Sequence, residues 1–158
     1  MPPGRYTVRV ELGEQSAQAG FEIAADPRSP YPPEQIAAQH DLAARLWTLL
    51  SDLYDGVNRA RRARSELGDS ESDRRLGEDL AEVESELVAD GGGKRSIYVH
   101  QAALDTRVTT LRWVVAAAPP NAPAIELADQ LQGQVASVLE RLSALLEQAG
   151  QARPEASW

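Results

Sequence analysis

Apolar residues recur every three or four positions through most of this chain, and at every second position only near its start. From Pro33 to Leu67, the positions Leu42, Leu46, Leu49, Leu53, Val57, Ala60, Arg64 and Leu67 fall on one face, which predicts a single long amphipathic helix. At 1.5 Å per residue it reaches about 50 Å, so any bundle built on it is elongated. Pro33 suits a first helical turn and Leu67-Gly68 marks the end. Gly56 weakens the helix by about 1 kcal/mol against Ala, a cost best tolerated where a neighbouring helix comes close. Ser70, with Asp73 three residues on, predicts a capped second helix running to about Ala89, with Leu76, Leu80, Val83 and Leu87 as its buried edge. A third helix is expected after Ser96, carrying Ile97, Leu104, Val108, Leu111, Val115 and Ala118 and ended by Pro119-Pro120. Asn121 is placed to cap a fourth, whose stripe is Leu127, Leu131, Val135, Val138, Leu142, Leu145 and Ala149, closed by Gly150 and Pro154.

The start follows the other period. Tyr6, Val8, Val10 and Leu12 alternate with Arg5, Thr7, Arg9 and Glu11, the pattern of a half-buried strand. A second strand over Gln18 to Ala24, with Phe21 and Ile23 on its apolar face, and a turn at Gly13-Glu14-Gln15-Ser16 complete an antiparallel hairpin. Two strands cannot bury their own apolar face. Tyr6, Val8, Val10, Leu12, Phe21 and Ile23 are therefore the candidate interaction residues, to be covered by the helices of this chain, by another copy of it, or by strands of a sandwich domain. Prolines at 27, 30, 32 and 33 make the following segment a stiff linker. The expected fold is mainly α: an elongated up-down bundle of three to four helices preceded by a short antiparallel β-hairpin. Its divisions are a hairpin over 1–26, a linker over 27–33, a bundle over 34–150 and a flexible tail over 151–158.

Composition narrows this further. Aromatic residues make up 5% of the 158, so the core has to be aliphatic. A net charge of −8 argues against a nucleic-acid partner, because phosphate binding needs a positive surface. With no cysteine, disulfides, thiolate metal sites and thiol chemistry are excluded together. No apolar run approaches the length of a membrane span, and the first residues lack a basic segment followed by an apolar one, so no span and no secretion signal are expected in the chain as written.

Several features resemble chemistry and read better as structure. His40 and His100 stand in no ligand-spaced motif, although His40-Asp41 with Glu34 would be the nearest thing to a metal or acid–base pair. The acidic face from Glu71 to Asp90 lacks the spacing of a calcium loop and reads as solvated. Gly91-Gly92-Gly93-Lys94 lacks the spacing of a phosphate loop. Arg59, Arg61, Arg62 and Arg64 suit a helix C-terminus and a pairing with the acidic second helix. Trp47 and Trp113, close to the seams, read as packing residues. No G-x-S-x-G and no base for a nucleophile are present. The expected chain is not an enzyme and holds no cofactor and no metal.

Pro3-Gly4-Arg5-Tyr6-Thr7-Val8-Arg9-Val10, Phe21-Glu22-Ile23 and Asp26-Pro27-Arg28 together resemble the end of a bacterial immunoglobulin-like or fibronectin-like module. With Gln39-His40-Asp41-Leu42-Ala43 and Val57-Asn58-Arg59-Ala60-Arg61 in the helix that follows, the chain resembles the C-terminal region of large sortilin-like BNR/Asp-box β-propeller proteins. It departs from that pattern at His40 and over Gly91 to Val99. The resemblance implies a propeller and sandwich strands ahead of this segment, with Met1 an internal start or a boundary within a longer protein. It brings no catalytic residue onto this chain. The expected function is a non-catalytic structural or interaction module with a docking or stabilising role. Its partner would be a protein, either the parent propeller and Ig-like domains or another copy, with a homo-oligomer possible. The rival is a self-contained adaptor or regulatory protein that oligomerises through its heptads; an enzyme using the carboxylates of the second helix ranks behind both. The compartment follows the choice: extracytoplasmic as part of a secreted propeller protein, cytoplasmic if the chain is complete.

Overall fold

The computed structural model describes residues 2–89 and 103–151. A hairpin of β1 (Gly4–Leu12) and β2 (Gln15–Ile23) leads into four helices: α1 (Pro33–Ser65), α2 (Glu71–Leu87), α3 (Leu104–Ala117) and α4 (Ala122–Gln151). The expected fold class is the one observed. The expected Gly91–Lys94 linker, the start of the third helix near Ile97, His100 and the tail from residue 152 lie outside the described residues.

The ends are set as the sequence suggests. Pro33 occupies the first turn of α1, where its missing N–H costs nothing. The Ser70 hydroxyl accepts from the Asp73 amide at 3.1 Å and donates to the Asp73 carboxylate at 2.7 Å, fixing the start of α2. Asn121 Oδ1 accepts from the Ala124 amide at 3.0 Å and opens α4.

The helices form a bundle three helices thick, because α2 and α3 share one position. α1 and α4 run parallel: Arg45 reaches Asp129 and Gln132, while Gly56, further along, lies against Leu139 and Leu142. α2 is antiparallel to α1 and covers its C-terminal half, with Glu84 bound to Arg61 and Arg64 and Leu87 lying near Gly56. α3 is also antiparallel to α1 but covers its N-terminal half, with Gln39 Nε2 donating to the Val115 carbonyl at 2.6 Å. The 17 residues of α2 and 14 of α3, placed end to end, nearly match the 33 of α1 and 30 of α4. At the join, the Asp105 carboxylate accepts from the Ala89 amide at 3.4 Å and from the Thr106 amide at 2.5 Å.

One apolar cluster runs the length of this arrangement, from Leu42, Leu46 and Leu53 of α1 through Leu80 and Leu87 of α2 and Val108 and Val115 of α3 to Leu131, Val135 and Leu142 of α4. Each fully buried Leu or Val contributes about 1.5–3 kcal/mol by leaving water. The stripe of α4 begins differently from its expected form: Ala124 and Ala128 are buried, whereas Leu127 is 36% exposed. Small residues there let α4 approach α1 and α3 closely, and Leu127 is rotated onto the rim between α3 and α4. Leu50 is also buried, widening the α1 stripe beyond strict heptad positions. Arg64 lies on its edge, paired with Glu84.

The hairpin differs from the expected one in its turn. β2 begins at Gln15, not Gln18, and a two-residue turn at Gly13-Glu14 replaces the four-residue one. Gly13 sits at φ +60°, the left-handed conformation that both primed hairpin turns need at their first position. Gln15, Ser16 and Ala17 carry no apolar alternation, but they pair across from Leu12, Glu11 and Val10.

At Gly56 α1 lies close against its neighbours: a Cβ there would lie 2.5 Å from Leu139 Cδ2, 3.4 Å from Leu142 Cδ2 and 3.7 Å from Leu87 Cδ1. Gly133, exposed on α4, has nothing within 4 Å of the same position. In urea unfolding, Gly56→Val is expected to lose about 2–3 kcal/mol by overpacking. Gly133→Ala is expected to gain about 0.5–1 kcal/mol from helix propensity alone. Equal effects at the two sites would contradict the assigned helix contact.

Candidate interaction surface

Alternation in β1 and the register of the pair put Tyr6, Val8, Val10 and Leu12 on one face of the hairpin, opposite Phe21, Ala19, Ala17 and Gln15. The Tyr6 and Phe21 rings stack at 5.8 Å between centroids, with 28° between their planes, as cross-strand neighbours on one face do. The Tyr6 hydroxyl donates to the Pro2 carbonyl at 2.6 Å, which ties down the chain before β1. Ile23, opposite Gly4 at the open end, is half-buried.

The rest of that face is open. Val8 is 49% exposed, Val10 62%, Leu12 78% and Phe21 46%, and no strand residue belongs to the core of the bundle. Of the three covers anticipated for this face, the helices of the same chain leave it exposed, and the other two lie outside a single chain. The two strands form a sheet of their own, so among the described residues each has one hydrogen-bonded neighbour and one open edge. The other face carries Arg5, Thr7, Arg9 and Glu11, with Arg9 and Glu11 in an ion pair at 2.6 Å.

The linker after the hairpin is shaped by its own polar groups. Asp26 accepts from Arg28 Nε at 3.0 Å, from Arg28 Nη2 at 2.9 Å and from the Arg28 amide at 2.9 Å. The guanidinium first and the amide second hold the Asp26 carboxyl below the usual carboxylate range, and the carboxylate raises Arg28 in return.

A second exposed surface lies on the bundle, and here the reading of the tryptophans is corrected. Trp47 is 57% and Trp113 68% exposed, so neither is a packing residue of the core. Leu46 takes the buried position on α1, leaving Trp47 one residue round the helix; Trp113, midway between Leu111 and Val115, faces away from the core. The Arg112 guanidinium lies 3.9 Å from the centroid of the Trp47 ring and 6.0 Å from that of Trp113, a cation–π contact between α1 and α3. For Trp113 the spacing held the signal, since a residue two positions from both Leu111 and Val115 stands on the opposite side of the helix. An open groove of about 480 Å³ between α3 and α4 is lined by Leu111, Val114, Pro123, Ala124 and Leu127.

The remaining candidates are dispersed. His40 is exposed on α1. Among the described residues no three His, Asp or Glu side chains converge where a metal ion could sit. The arginines near the end of α1 divide: Arg61 and Arg64 bind Glu84 at 2.6 and 2.9 Å, as the charge pattern suggests, and Ser65 Oγ donates to the Arg62 carbonyl. Glu86 of the same acidic helix binds Arg141 at 2.7 Å and raises its pKa. No helix among the described residues is long and apolar enough to cross a membrane.

These observations define a helical bundle carrying an uncovered amphipathic hairpin. No known protein family, curated protein or solved structure matches the chain.

The Asp26–Arg28 contact yields a pH prediction. Asp26 is harder to protonate folded than unfolded, so its contribution to the turn is present above the ordinary aspartate range and is lost as the pH falls through the lowered value. Arg28→Ala is expected to move the Asp26 carboxyl titration, followed by NMR, up towards that ordinary range. An unchanged midpoint would contradict the contact.

Proposed function

We propose that this chain is a non-catalytic interaction module, in which an elongated bundle acts as a rigid support and the hairpin docks onto another protein. The observation that carries this is the separation of the two parts: the bundle closes its core without the hairpin, and the hairpin leaves Val8, Val10, Leu12 and Phe21 in water. Exposed apolar faces of this kind mark interaction sites in soluble proteins. The docking surface would be a sheet, because open strand edges take further strands. The sequence resemblance to the C-terminal region of BNR/Asp-box propeller proteins fits this role, with the neighbouring sandwich module or a second copy as partner. The rival, a self-contained adaptor assembling through its helices, draws support from the apolar groove between α3 and α4, where a further helix could lie.

The test compares two chains. In one, the residues encoded upstream of Met1 are joined to this sequence; the other is the sequence alone. Hydrogen exchange at Val8, Val10 and Phe21 is expected to slow in the longer chain or with rising concentration of the shorter one. Exchange as fast as random coil under both conditions would contradict docking through the hairpin. Replacing Val8, Val10 and Phe21 together by Ser is expected to leave the unfolding midpoint of the bundle within about 2 °C of the parent. A larger loss would show that the face is part of the bundle's own stability.

A further inference from the structure

The open edge of β1 has a charge pattern that selects its own partner. We propose that two copies of this chain pair β1 with β1 in antiparallel register about Val8, forming a four-stranded sheet with a two-fold axis at that residue. The inference rests on the reading of the hairpin as the docking element and names its partner.

Antiparallel neighbours directly opposite each other point to the same face, so only pairings that match odd positions with odd and even with even keep the apolar face continuous. Centring the pair on Val8 meets this condition and uses all nine residues of β1. On the polar face, Arg5 then lies opposite Glu11 of the second copy, twice by symmetry, and Thr7 lies opposite Arg9. On the apolar face, Tyr6 lies opposite Val10, and Val8 opposite itself. Sliding by two residues one way sets Arg5 against Arg9; the other way sets Arg9 against Arg9. Both slips replace attraction by repulsion at directly opposed positions. The other edge offers no such choice: β2 paired about Ala19 sets Glu22 against Ser16 and Gly20 against Gln18, with no opposed charges.

Within the hairpin, Arg5 is already opposite Glu22, and Glu11 is opposite Ser16 and paired with Arg9. The dimer would therefore extend an existing line of alternating charge, Glu22, Arg5 and then Glu11 of the second copy. Pairing also raises the sheet from two strands, which are marginal alone, to four.

The absence of cysteine makes the test clean. Val8→Cys places two thiols at the axis, within disulfide reach for directly opposed strand residues. Ala19→Cys, on the same face but on the far strand, does not. Under mild oxidation the Val8 variant is expected to form a covalent dimer and the Ala19 variant to stay monomeric. Equal cross-linking, or cross-linking only through Ala19, would overturn the register. Sedimentation of charge variants supplies a second arm. Arg5→Glu and Glu11→Arg, each alone, set like charges opposite each other twice and are expected to weaken the dimer by about tenfold or more. Mixing the two variants restores both opposite pairs, so the heterodimer is expected to regain the parent affinity. A mixture no tighter than its components would overturn the proposal. A parent chain that stays monomeric at every concentration would overturn the second copy as partner. In that case, slower exchange at Val8 and Val10 in the longer chain would leave docking onto another domain standing.

Discussion

The apolar stripe of α1 runs for 33 residues, and everything else in the bundle is arranged to keep water off it. Among the described helices only α4 is long enough to follow it from end to end. The third position is filled in two pieces, α2 over one half and α3 over the other, so the core has one continuous cross-section although the chain passes through it four times. A long helix is stable in water chiefly through such tertiary cover. At Gly56 α1, α2 and α4 meet closely enough that a side chain would collide with Leu139. The ion pairs at the rim, Arg45 with Asp129, Arg61 and Arg64 with Glu84, and Arg141 with Glu86, fix the relative heights of the helices. Exposed pairs add little energy, up to about 1 kcal/mol each, so they set register and the leucines set stability.

Among the described residues the bundle core takes in no strand residue, and the hairpin stands apart from it. Its two strands bury little, and its apolar face and both edges are open among the described residues. Such edges are commonly blunted by charge, and β1 carries charge on its polar face, but in an order that in the one full-length antiparallel register sets Arg5 against Glu11 of a second copy. The same residues that keep the edge soluble would then decide what it accepts.

The apolar periods carried most of the bundle into view. The stripes of α1, α2 and α3 were legible because leucine and valine at heptad spacing leave little choice of face, and the caps Ser70 and Asn121 were legible because few residue types make those bonds. What a stripe does not say is which neighbour it meets. Nothing in the spacing of Leu76 or Val108 indicates that α2 and α3 lie end to end; that depends on their lengths relative to α1. Alanine hid the start of the α4 seam at Ala124 and Ala128, since small residues give a weak apolar signal where close approach is the point. Trp47 and Trp113 misled in the opposite direction, because large aromatic rings suggest burial even one or two positions off a seam. The shared apolar face of β1 was legible from its alternation, whereas the start of β2 at Gln15 was hidden by polar residues that pair through their backbone.

Bundle and hairpin form separate units, one closed and one open, and this separation is a measurable property. Native-state hydrogen exchange at low denaturant tests it most directly. Amides of Leu53, Val57, Leu131 and Leu142 are expected to exchange through one large opening of the whole bundle, with Val8, Val10 and Phe21 in a second unit that opens at much lower free energy. If the hairpin amides instead open together with the bundle amides, at the same free energy and with the same denaturant dependence, the two parts are one structure and the account is wrong.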